Sequence, residues 1–309
     1  KFVSIYILYS SIRIKDILYL PMDNQIKSIL FKEGLPIEIE IISIADTLSK
    51  HRVNIVSPHR DNYYNIFFYQ KGTANHVIDF NPIKVQPNSL LFVNKNRVQM
   101  LDPNGGYDGK FLLFTESFFD KYPDDIKYLR NNILFNDLLE EPVLNVKKDS
   151  PIISTFNEIE EELSRPNDAL QYEVLHNLLH NLLLLAERER RKTGFNEIRK
   201  GEEYDYTILF KNLLEDNFKE IKSVARYVTM MSVSEKKLNK STNMVLGKSP
   251  KQIIDERLIL EAKRLLAHTT NSIKEVGFDL GFEEPTNFIK YFRKHVGKTP
   301  IEFRGQFYK

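Results

Sequence analysis

The feature that most constrains the fold is a segment that occurs twice near the C-terminal end. Residues 238–250 (LNKSTNMVLGKSP) and 288–300 (FIKYFRKHVGKTP) both begin with an apolar residue, place a Lys two positions later and end in Gly-Lys-Ser/Thr-Pro. Before each copy stands Ile-Lys-x-Val followed by a small residue, Ala225 or Gly277. Because a small residue lets a second helix cross closely, the repeat predicts two helix-turn-helix units.

The Gly-Lys-Ser/Thr-Pro ends are interpreted as helix boundaries. Gly would end one helix, Ser or Thr would cap the next, and Pro would occupy its first turn. A phosphate-binding loop would need another Gly five residues earlier, where this chain has Thr242 and Phe292. At the start of the second unit, Ser272 and Glu275 predict a capping box.

The second helix of each unit has an apolar face and a polar face. Phe288, Tyr291 and Phe292 form the predicted buried stripe in the second copy, and Leu238 and Thr242 form a weaker one in the first. Lys and Asn on the polar face suit the DNA major groove. The predicted base-contacting residues are Lys236, Asn239, Lys240, Thr286, Asn287, Ile289 and Lys290. The predicted phosphate-contacting residues are Ser234, Asn243, Lys248, Arg293, Lys294, Lys298 and Thr299. For one copy alone a solvent-facing amphipathic helix would be favoured, and the second copy argues against it.

Positive charge is concentrated at the same end of the chain. Residues 219–309 hold 18 Lys and Arg against 10 Asp and Glu, a net charge of +8, whereas residues 1–218 sum to −6. A basic end indicates a polyanionic partner, with a solvated charged face as the alternative. Between the two copies, residues 249–269 predict one helix of roughly 30 Å. That length is close to one ~34 Å turn of B-DNA, so the helix would hold two recognition helices in successive major grooves.

Length and composition set further limits. A chain of 309 residues is expected to form about two domains. The absence of Cys excludes disulfides, thiolate catalysis and Cys-based zinc sites. The apolar run at residues 2–12 is too short for the ~20 residues of a membrane span, and we expect a cytoplasmic protein. Residues 1–21 are interpreted as a non-native or upstream extension before a natural start at Met22.

The N-terminal half has the pattern of strands. Between about residues 36 and 118, short apolar runs alternate with Gly, Pro and Asn turns, which predicts an antiparallel barrel or sandwich. A Leu-rich helix is predicted at 168–190, and two roles stay open for it: packing onto the barrel, or pairing with a second copy. His176 and His180 are interpreted as surface or interface residues rather than a metal pair, since no third ligand is evident. Residues 191–203 are interpreted as a linker.

Residues 204–305 resemble the DNA-binding domain of the AraC/XylS family of transcription regulators. The resemblance rests on RLILEAKRLLAHTTNSIKEVGFDLGFEEPTNFIKYFRKHVGKTPIEFR, which matches the family's linker helix, second helix-turn-helix and closing TP-x-x-[FY]-R. It implies seven helices with two helix-turn-helix units. The implied base-contacting positions are Lys236, Asn239, Lys240, Thr286, Ile289 and Lys290. The first unit departs from the family in a longer turn between Val228 and Ser234 and in Thr242, where the family has Phe. The second unit is therefore predicted to recognise DNA more faithfully.

The N-terminal strands are similar to the cupin-like barrel that many members carry as an effector or dimerisation domain. The similarity rests on residues 58–72, PHRDNYYNIFFYQKG. It implies an effector pocket that includes His59, Tyr64 and Phe68. A metal-binding cupin would need another His close to His59 and a later His where Gln99 stands, so we expect neither a metal nor another cofactor.

Together these arguments predict an α+β chain of two domains. Residues 22–190 would form an antiparallel cupin-like β-barrel with following helices, and residues 204–309 an all-α domain of seven helices. The predicted function is sequence-specific transcription regulation, as an activator and not as an enzyme. The expected partners are double-stranded DNA, RNA polymerase, a small-molecule effector and a second copy paired through 168–190. Two alternatives stay open: an adaptor that binds a protein partner, and a metal-dependent cupin enzyme with a DNA-binding tail.

Overall fold

The chain is described by a computed structural model for residues 5–6, 25–31, 37–135, 143–192 and 201–307. Residues 27–192 lie in one compact unit and residues 201–307 in a second. The proposed start at Met22 and the centre of the predicted linker, residues 193–200, lie outside the described residues.

The described strands of the first unit form two sheets. The strands are β1 (Ile5–Tyr6), β2 (Lys27–Leu30), β3 (Ile39–Ser43), β4 (His59–Asp61), β5 (Tyr64–Lys71), β6 (Ala74–Ile78), β7 (Asn81–Val85), β8 (Ser89–Val93), β9 (Val98–Met100), β10 (Asp108–Phe114) and β11 (Val143–Asn145). One sheet has the order β1-β2-β4-β9-β6-β7 and the other β11-β8-β5-β10-β3. Among the described strands, two pairs are parallel, β1 with β2 and β2 with β4. The predicted α+β class and cupin-like strand domain are confirmed, as two open sheets rather than one closed barrel.

Strand β5 is buried on both of its faces because successive side chains of a strand point in opposite directions. Tyr64 and Phe68 belong to the core that the five-stranded sheet shares with helices. Phe67 and Tyr69 belong to the other core, together with apolar residues of the six-stranded sheet. The two faces of β5 therefore serve different parts of the unit.

The predicted Leu-rich helix packs onto this first unit. The helices of the unit are α1 (Ile44–Val56), α2 (Glu116–Phe119), α3 (Asp125–Asn131), α4 (Pro151–Ser164) and α5 (Gln171–Lys192). The residues of α5 that are buried in the core shared with the five-stranded sheet are Leu175, Leu179, Leu182, Leu183 and Ala186. Leu170, Val174 and Leu184 are exposed. Packing within the unit thus accounts for most of the apolar stripe, and a few apolar side chains remain exposed to solvent.

His176 is a core residue, so its interpretation as a surface or interface histidine is wrong. Its side chain is fully buried. Its Nε2 lies 3.1 Å from the Phe119 carbonyl oxygen and 3.2 Å from Asp125 Oδ2. Phe119 in α2 and Asp125 in α3 thus provide acceptors for the buried Nε2 atom of His176. Helical periodicity alone does not show whether this position is buried or exposed.

Seven helices make up the described part of the second unit, as the resemblance implied. They are α6 (Glu202–Asn217), α7 (Val224–Met230), α8 (Glu235–Leu246), α9 (Pro250–His268), α10 (Ile273–Asp279), α11 (Pro285–Val296) and α12 (Pro300–Arg304). Helix α5 ends at Lys192 and α6 begins at Glu202, so both ends of the predicted linker are helical. Within the described ranges, no helix is both long enough and apolar enough to cross a membrane.

The repeated Gly-Lys-Ser/Thr-Pro segments are helix boundaries, as predicted. Gly247 and Gly297 follow α8 and α11 with φ values of 65° and 77°, the left-handed region that glycine adopts without strain. Ser249 and Thr299 then form capping boxes, and Pro occupies the first turn of α9 and of α12. The chain therefore ends and restarts a helix at the same point in both copies.

Candidate DNA interface

The first helix-turn-helix unit consists of α7 and α8. Tyr227 of α7 is fully buried and its hydroxyl donates to the Ile221 carbonyl oxygen at 2.9 Å, whereas Ala225 is exposed. The sequence comparison of Ala225 with Gly277 was therefore wrong, because the large Tyr227 side chain decides which face of α7 turns inward. Residues 231–234 form the turn, and Ser234 caps α8 by accepting from Lys237 N.

The second helix-turn-helix unit consists of α10 and α11 and has a closer helix crossing. A Cβ atom on Gly277 would lie 3.2 Å from Phe288 Cβ, so the predicted role of this glycine in the crossing is confirmed. Phe288 and Phe292 are fully buried, and Phe282 packs against Phe288 with ring centroids 5.4 Å apart. Residues 280–284 form the turn, one residue more than in the first unit. The expectation of a longer turn in the first unit is therefore wrong.

Both recognition helices expose the predicted base-contacting residues. On α8 the exposed residues are Lys236, Asn239 and Lys240. On α11 the exposed residues are Thr286, Asn287, Ile289 and Lys290. Leu238 and Thr242 are fully buried below the α8 face. Each helix thus has the required division into a packed side and an open side.

The residues predicted to contact phosphate fall into two groups. Asn243, Lys248, Arg293, Lys294 and Lys298 are exposed. Ser234 and Thr299 are helix caps whose hydroxyl oxygens accept from Lys237 N at 3.2 Å and from Glu302 N at 3.3 Å. A hydroxyl that accepts through its oxygen can still donate its own proton, so both caps retain a donor for a phosphate.

Electrostatically the two recognition helices differ. On α8, Lys240 Nζ lies 2.8 Å from Glu203 Oε1 and Lys237 Nζ lies 2.6 Å from Glu202 Oε2. Those hydrogen bonds lower the pKa of Glu202 and the pKa of Glu203. On α11, no such ion pair joins Lys290 to a carboxylate of the described residues. Lys237 and Lys240 on α8 are therefore partly neutralised, whereas Lys290 on α11 has no such partner in the described part of the chain.

Helix α9 positions α11 through a contact that sequence reasoning missed. The Tyr291 hydroxyl donates to Asp255 Oδ1 at 2.7 Å, and Lys251 Nζ pairs with the same carboxylate at 2.5 Å. Asp255 is buried. Desolvation, followed by the hydrogen bond to Asp255, raises the pKa of Tyr291. The signal for this contact in the sequence is the acidic Asp255 of α9.

A second missed group lies along α9. Glu261 and Arg264 are both 2% exposed, with Arg264 Nη1 3.1 Å from Glu261 Oε2. Arg257 pairs with Glu215 of α6 at 2.8 Å. Charged residues are rarely buried unless they are paired, so these contacts explain how α9 carries charge on its packed side.

The candidate effector site is a small cavity in the first unit. Its polar lining includes His59, Asp61, Tyr63, Asn65 and Gln99, and its apolar lining includes Phe67. Asn65 Nδ2 donates to Asp61 Oδ2 at 2.8 Å, and Gln99 donates to the same oxygen. Burial raises the pKa of Asp61. Within the described residues, no group of three His, Asp or Glu side chains is arranged to hold a metal ion.

Of the three residues predicted for the effector pocket, only His59 lines this cavity. Tyr64 and Phe68 lie on the opposite face of β5, in the core shared with α4 and α5. They do not line this cavity, and β5 is apolar on both faces, so its sequence gives no alternation from which to choose the inner side.

Comparison with known proteins agrees with this architecture in both units. Residues 48–179 match the AraC-like ligand binding domain, and residues 227–306 match a helix-turn-helix domain model. The HTH-type transcriptional activator RhaS of Escherichia fergusonii is 20% identical over 252 residues, which cover 80% of this chain and 86% of that protein. RhaS of an Enterobacter species is 22% identical over 261 residues, with the same coverage. The solved structure of ToxT from Vibrio cholerae with a bound unsaturated fatty acid covers 87% of this chain and 95% of its own, at 15% identity and a TM-score of 0.40. With a ligand-binding domain and a helix-turn-helix domain matched in one chain, and with regulators matched along most of its length, the chain belongs to the AraC/XylS family of transcription regulators.

Proposed function

We propose that the second unit binds two successive major grooves on one face of DNA, with α8 in one groove and α11 in the next. The observation that carries the proposal is that both helices of the repeat expose polar and cationic residues while their opposite sides are buried. The single helix α9, with 19 residues, joins the two helix-turn-helix units. At 1.5 Å per residue it is roughly 28 Å long, comparable with one ~34 Å turn of B-DNA.

The proposed contacts follow from side-chain chemistry. Lys290 is suited to guanine O6 and N7, Asn287 and Asn239 to adenine, and Ile289 to a thymine methyl. The exposed cations and the two cap hydroxyls would bind phosphates, which orient the protein on the duplex without specifying sequence. The second helix-turn-helix unit, α10 and α11, is proposed to supply more of the specificity, because Lys290 has no carboxylate partner among the described residues.

The N-terminal compact unit is proposed to bind a small-molecule effector in the cavity around His59 and Asp61. The cavity lining holds one carboxylate and no Lys or Arg. A buried carboxylate favours a ligand that donates hydrogen bonds or carries positive charge, and disfavours an anionic one. Hydroxylated or amino compounds therefore fit this site better than carboxylic acids do.

The remaining partners and properties are proposed on the same basis. The activator names of the RhaS relatives support a role as a cytoplasmic, non-enzymatic activator that contacts RNA polymerase. Leu170, just before α5, and Val174 and Leu184 on α5 are exposed. They support pairing of two copies through residues 168–190, because covering apolar side chains with a partner is favourable.

The proposal is tested by selecting bound duplexes from a random DNA pool and titrating the selected site by fluorescence anisotropy. We expect protection of two major grooves about one helical turn apart and an affinity that falls steeply with salt, by about 0.9 log units per log unit of salt for each phosphate contact. An affinity indifferent to both DNA sequence and salt would instead favour the adaptor function. A metal-dependent activity of the purified protein would favour the enzyme.

A further inference from the structure

The first turn of α6 carries a cluster of negative charge directed at the first recognition helix. Glu202, Glu203 and Asp205 are the acidic residues of that turn. Glu202 pairs with Lys237 at 2.6 Å and Glu203 pairs with Lys240 at 2.8 Å. Both lysines belong to α8, and Lys240 is one of the residues proposed to contact a base. The partners are more than thirty residues apart in sequence, so the pairs arise from tertiary packing.

Contacts around the Glu202 pair orient it. The Tyr206 hydroxyl donates to Glu202 Oε1 at 3.0 Å, and Lys237 Nζ lies 5.0 Å from the centroid of the Tyr206 ring. Tyr206 therefore contacts both members of the pair. The hydrogen bond to Glu202 also raises the pKa of Lys237, which is the electrostatic counterpart of the lowered glutamate pKa.

The side chains remain accessible enough to change partners. Lys240 is 61% exposed and Lys237 is 31% exposed. A phosphate oxygen and a glutamate oxygen are chemically similar acceptors for an ammonium group. A phosphate that approaches either lysine would also be repelled by the neighbouring carboxylate at short range, within the Debye length.

We propose that the acidic first turn of α6 competes with DNA for the first recognition helix, so that Glu202 and Glu203 weaken the binding of α8 to DNA. The inference rests on the proposed function, since it requires α8 to lie in a DNA groove. It would make the two helix-turn-helix units contribute unequally: α8 must exchange its carboxylate partners for acceptors on DNA, whereas Lys290 on α11 has no carboxylate partner among the described residues.

The test compares Glu202→Gln/Glu203→Gln with the wild-type chain on the selected duplex. Glutamine keeps the shape of each side chain and removes its charge. The control is Asp216→Asn/Glu220→Gln, which makes the same change in net charge near the other end of α6, at exposed positions. Circular dichroism melts of all three proteins establish that the fold is retained.

An exposed ion pair corresponds to at most about a fivefold change in an equilibrium constant. We therefore expect the double variant to bind roughly two- to tenfold more tightly than the control. The slope of log affinity against log salt should steepen by about 1–2, since one or two more phosphates are engaged. In the double variant, Lys240→Ala should weaken binding by a larger factor than it does in the wild type, because Lys240 then pairs with DNA alone.

The two proposals fail in distinguishable ways. If the wild-type chain shows no sequence- or salt-dependent DNA binding, the proposed function is wrong. If the wild type binds and Lys290→Ala weakens binding, but the Glu202/Glu203 variant matches the Asp216/Glu220 control in affinity and slope, only the competition by α6 is overturned.

Discussion

At the residue scale, the same residue type acts differently in the two recognition helices because its neighbours differ. Lys240 and Lys290 occupy matching positions of the repeated segment. Glu203 holds Lys240 at 2.8 Å, whereas Lys290 is exposed and carries no ion pair within the described ranges. A position in a motif therefore predicts which way a side chain points, and its partners decide how much charge it offers to DNA.

Lys290 is the single residue on which DNA binding is expected to depend most clearly. Replacing it with Ala should weaken binding to the selected site by about 1–3 kcal/mol if it contacts a guanine, measured by anisotropy titration. Lys263→Ala on α9 is the matched loss of one charge. Equal effects of the two variants would show that Lys290 contributes only general electrostatic attraction.

The hydrogen bond from Tyr291 to Asp255 gives a second residue-scale prediction. Tyr291→Phe removes the hydroxyl that donates to the buried Asp255 carboxylate. The free energy of unfolding should therefore fall by roughly 1–3 kcal/mol, measured by urea denaturation. The effect should shrink in an Asp255→Asn background because the acceptor is then uncharged. An undiminished effect there would assign the loss to ring packing rather than to the hydrogen bond.

At the scale of elements, the close crossing of α10 and α11 depends on the absence of a side chain at Gly277. In α7 the fully buried residue is Tyr227, and Ala225 is exposed. The two units therefore solve the same packing problem with different residues, and only the second follows the small-residue pattern found in the sequence.

This difference predicts unequal responses to the same bulky residue. Gly277→Val should destabilise the second helix-turn-helix unit by about 1–3 kcal/mol, because the added side-chain atoms would overlap Phe288. Ala225→Val should change stability by less than about 0.5 kcal/mol, as is usual at exposed sites. Urea unfolding of both variants checks the prediction, and a large loss for Ala225→Val would restore the sequence-based pairing of these two positions.

At the scale of the whole molecule, a buried histidine makes the stability of the first compact unit depend on pH. His76 of the first unit is fully buried, and its Nε2 lies 2.9 Å from Gln99 Oε1. Its Nδ1 lies 2.8 Å from the Tyr69 hydroxyl. Because an amide oxygen only accepts, Nε2 carries the proton of the neutral ring and Nδ1 accepts from Tyr69. Burial, the largest cause, lowers the pKa of His76 to about 3.

The sign of the pH dependence follows from that shift. The unfolded chain binds a proton at His76 near pH 6.5, while the folded chain does so only near pH 3. Stability from this residue is therefore complete above pH 6.5 and is lost as the pH falls toward 3. We expect calorimetry to show the first unit weakening between pH 7 and pH 5, and His76→Gln to reduce that slope. An unchanged slope in the variant would place the acid sensitivity elsewhere.

Much of this architecture could be predicted from the chain alone. Helix boundaries were predictable where capping chemistry is local, as at Ser249 and Thr299, because the cap and its partner lie within one turn. The inner face of β5 was not, since both of its faces are apolar and the neighbouring sheets decide their surroundings. His176 and Asp255 were missed for the same reason: a polar residue can be buried when a partner distant in sequence satisfies it.

The sequence by itself determined the family, the two-domain α+β organisation and the exposed faces of both recognition helices. These depend on periodicity and on contacts within a few residues. The tertiary structure alone decided which lysines are paired, which face of β5 lines the cavity around His59 and Asp61, and which residue of α7 turns inward. Those outcomes depend on side chains that are brought together from separate helices and strands, and a linear pattern does not contain their distances.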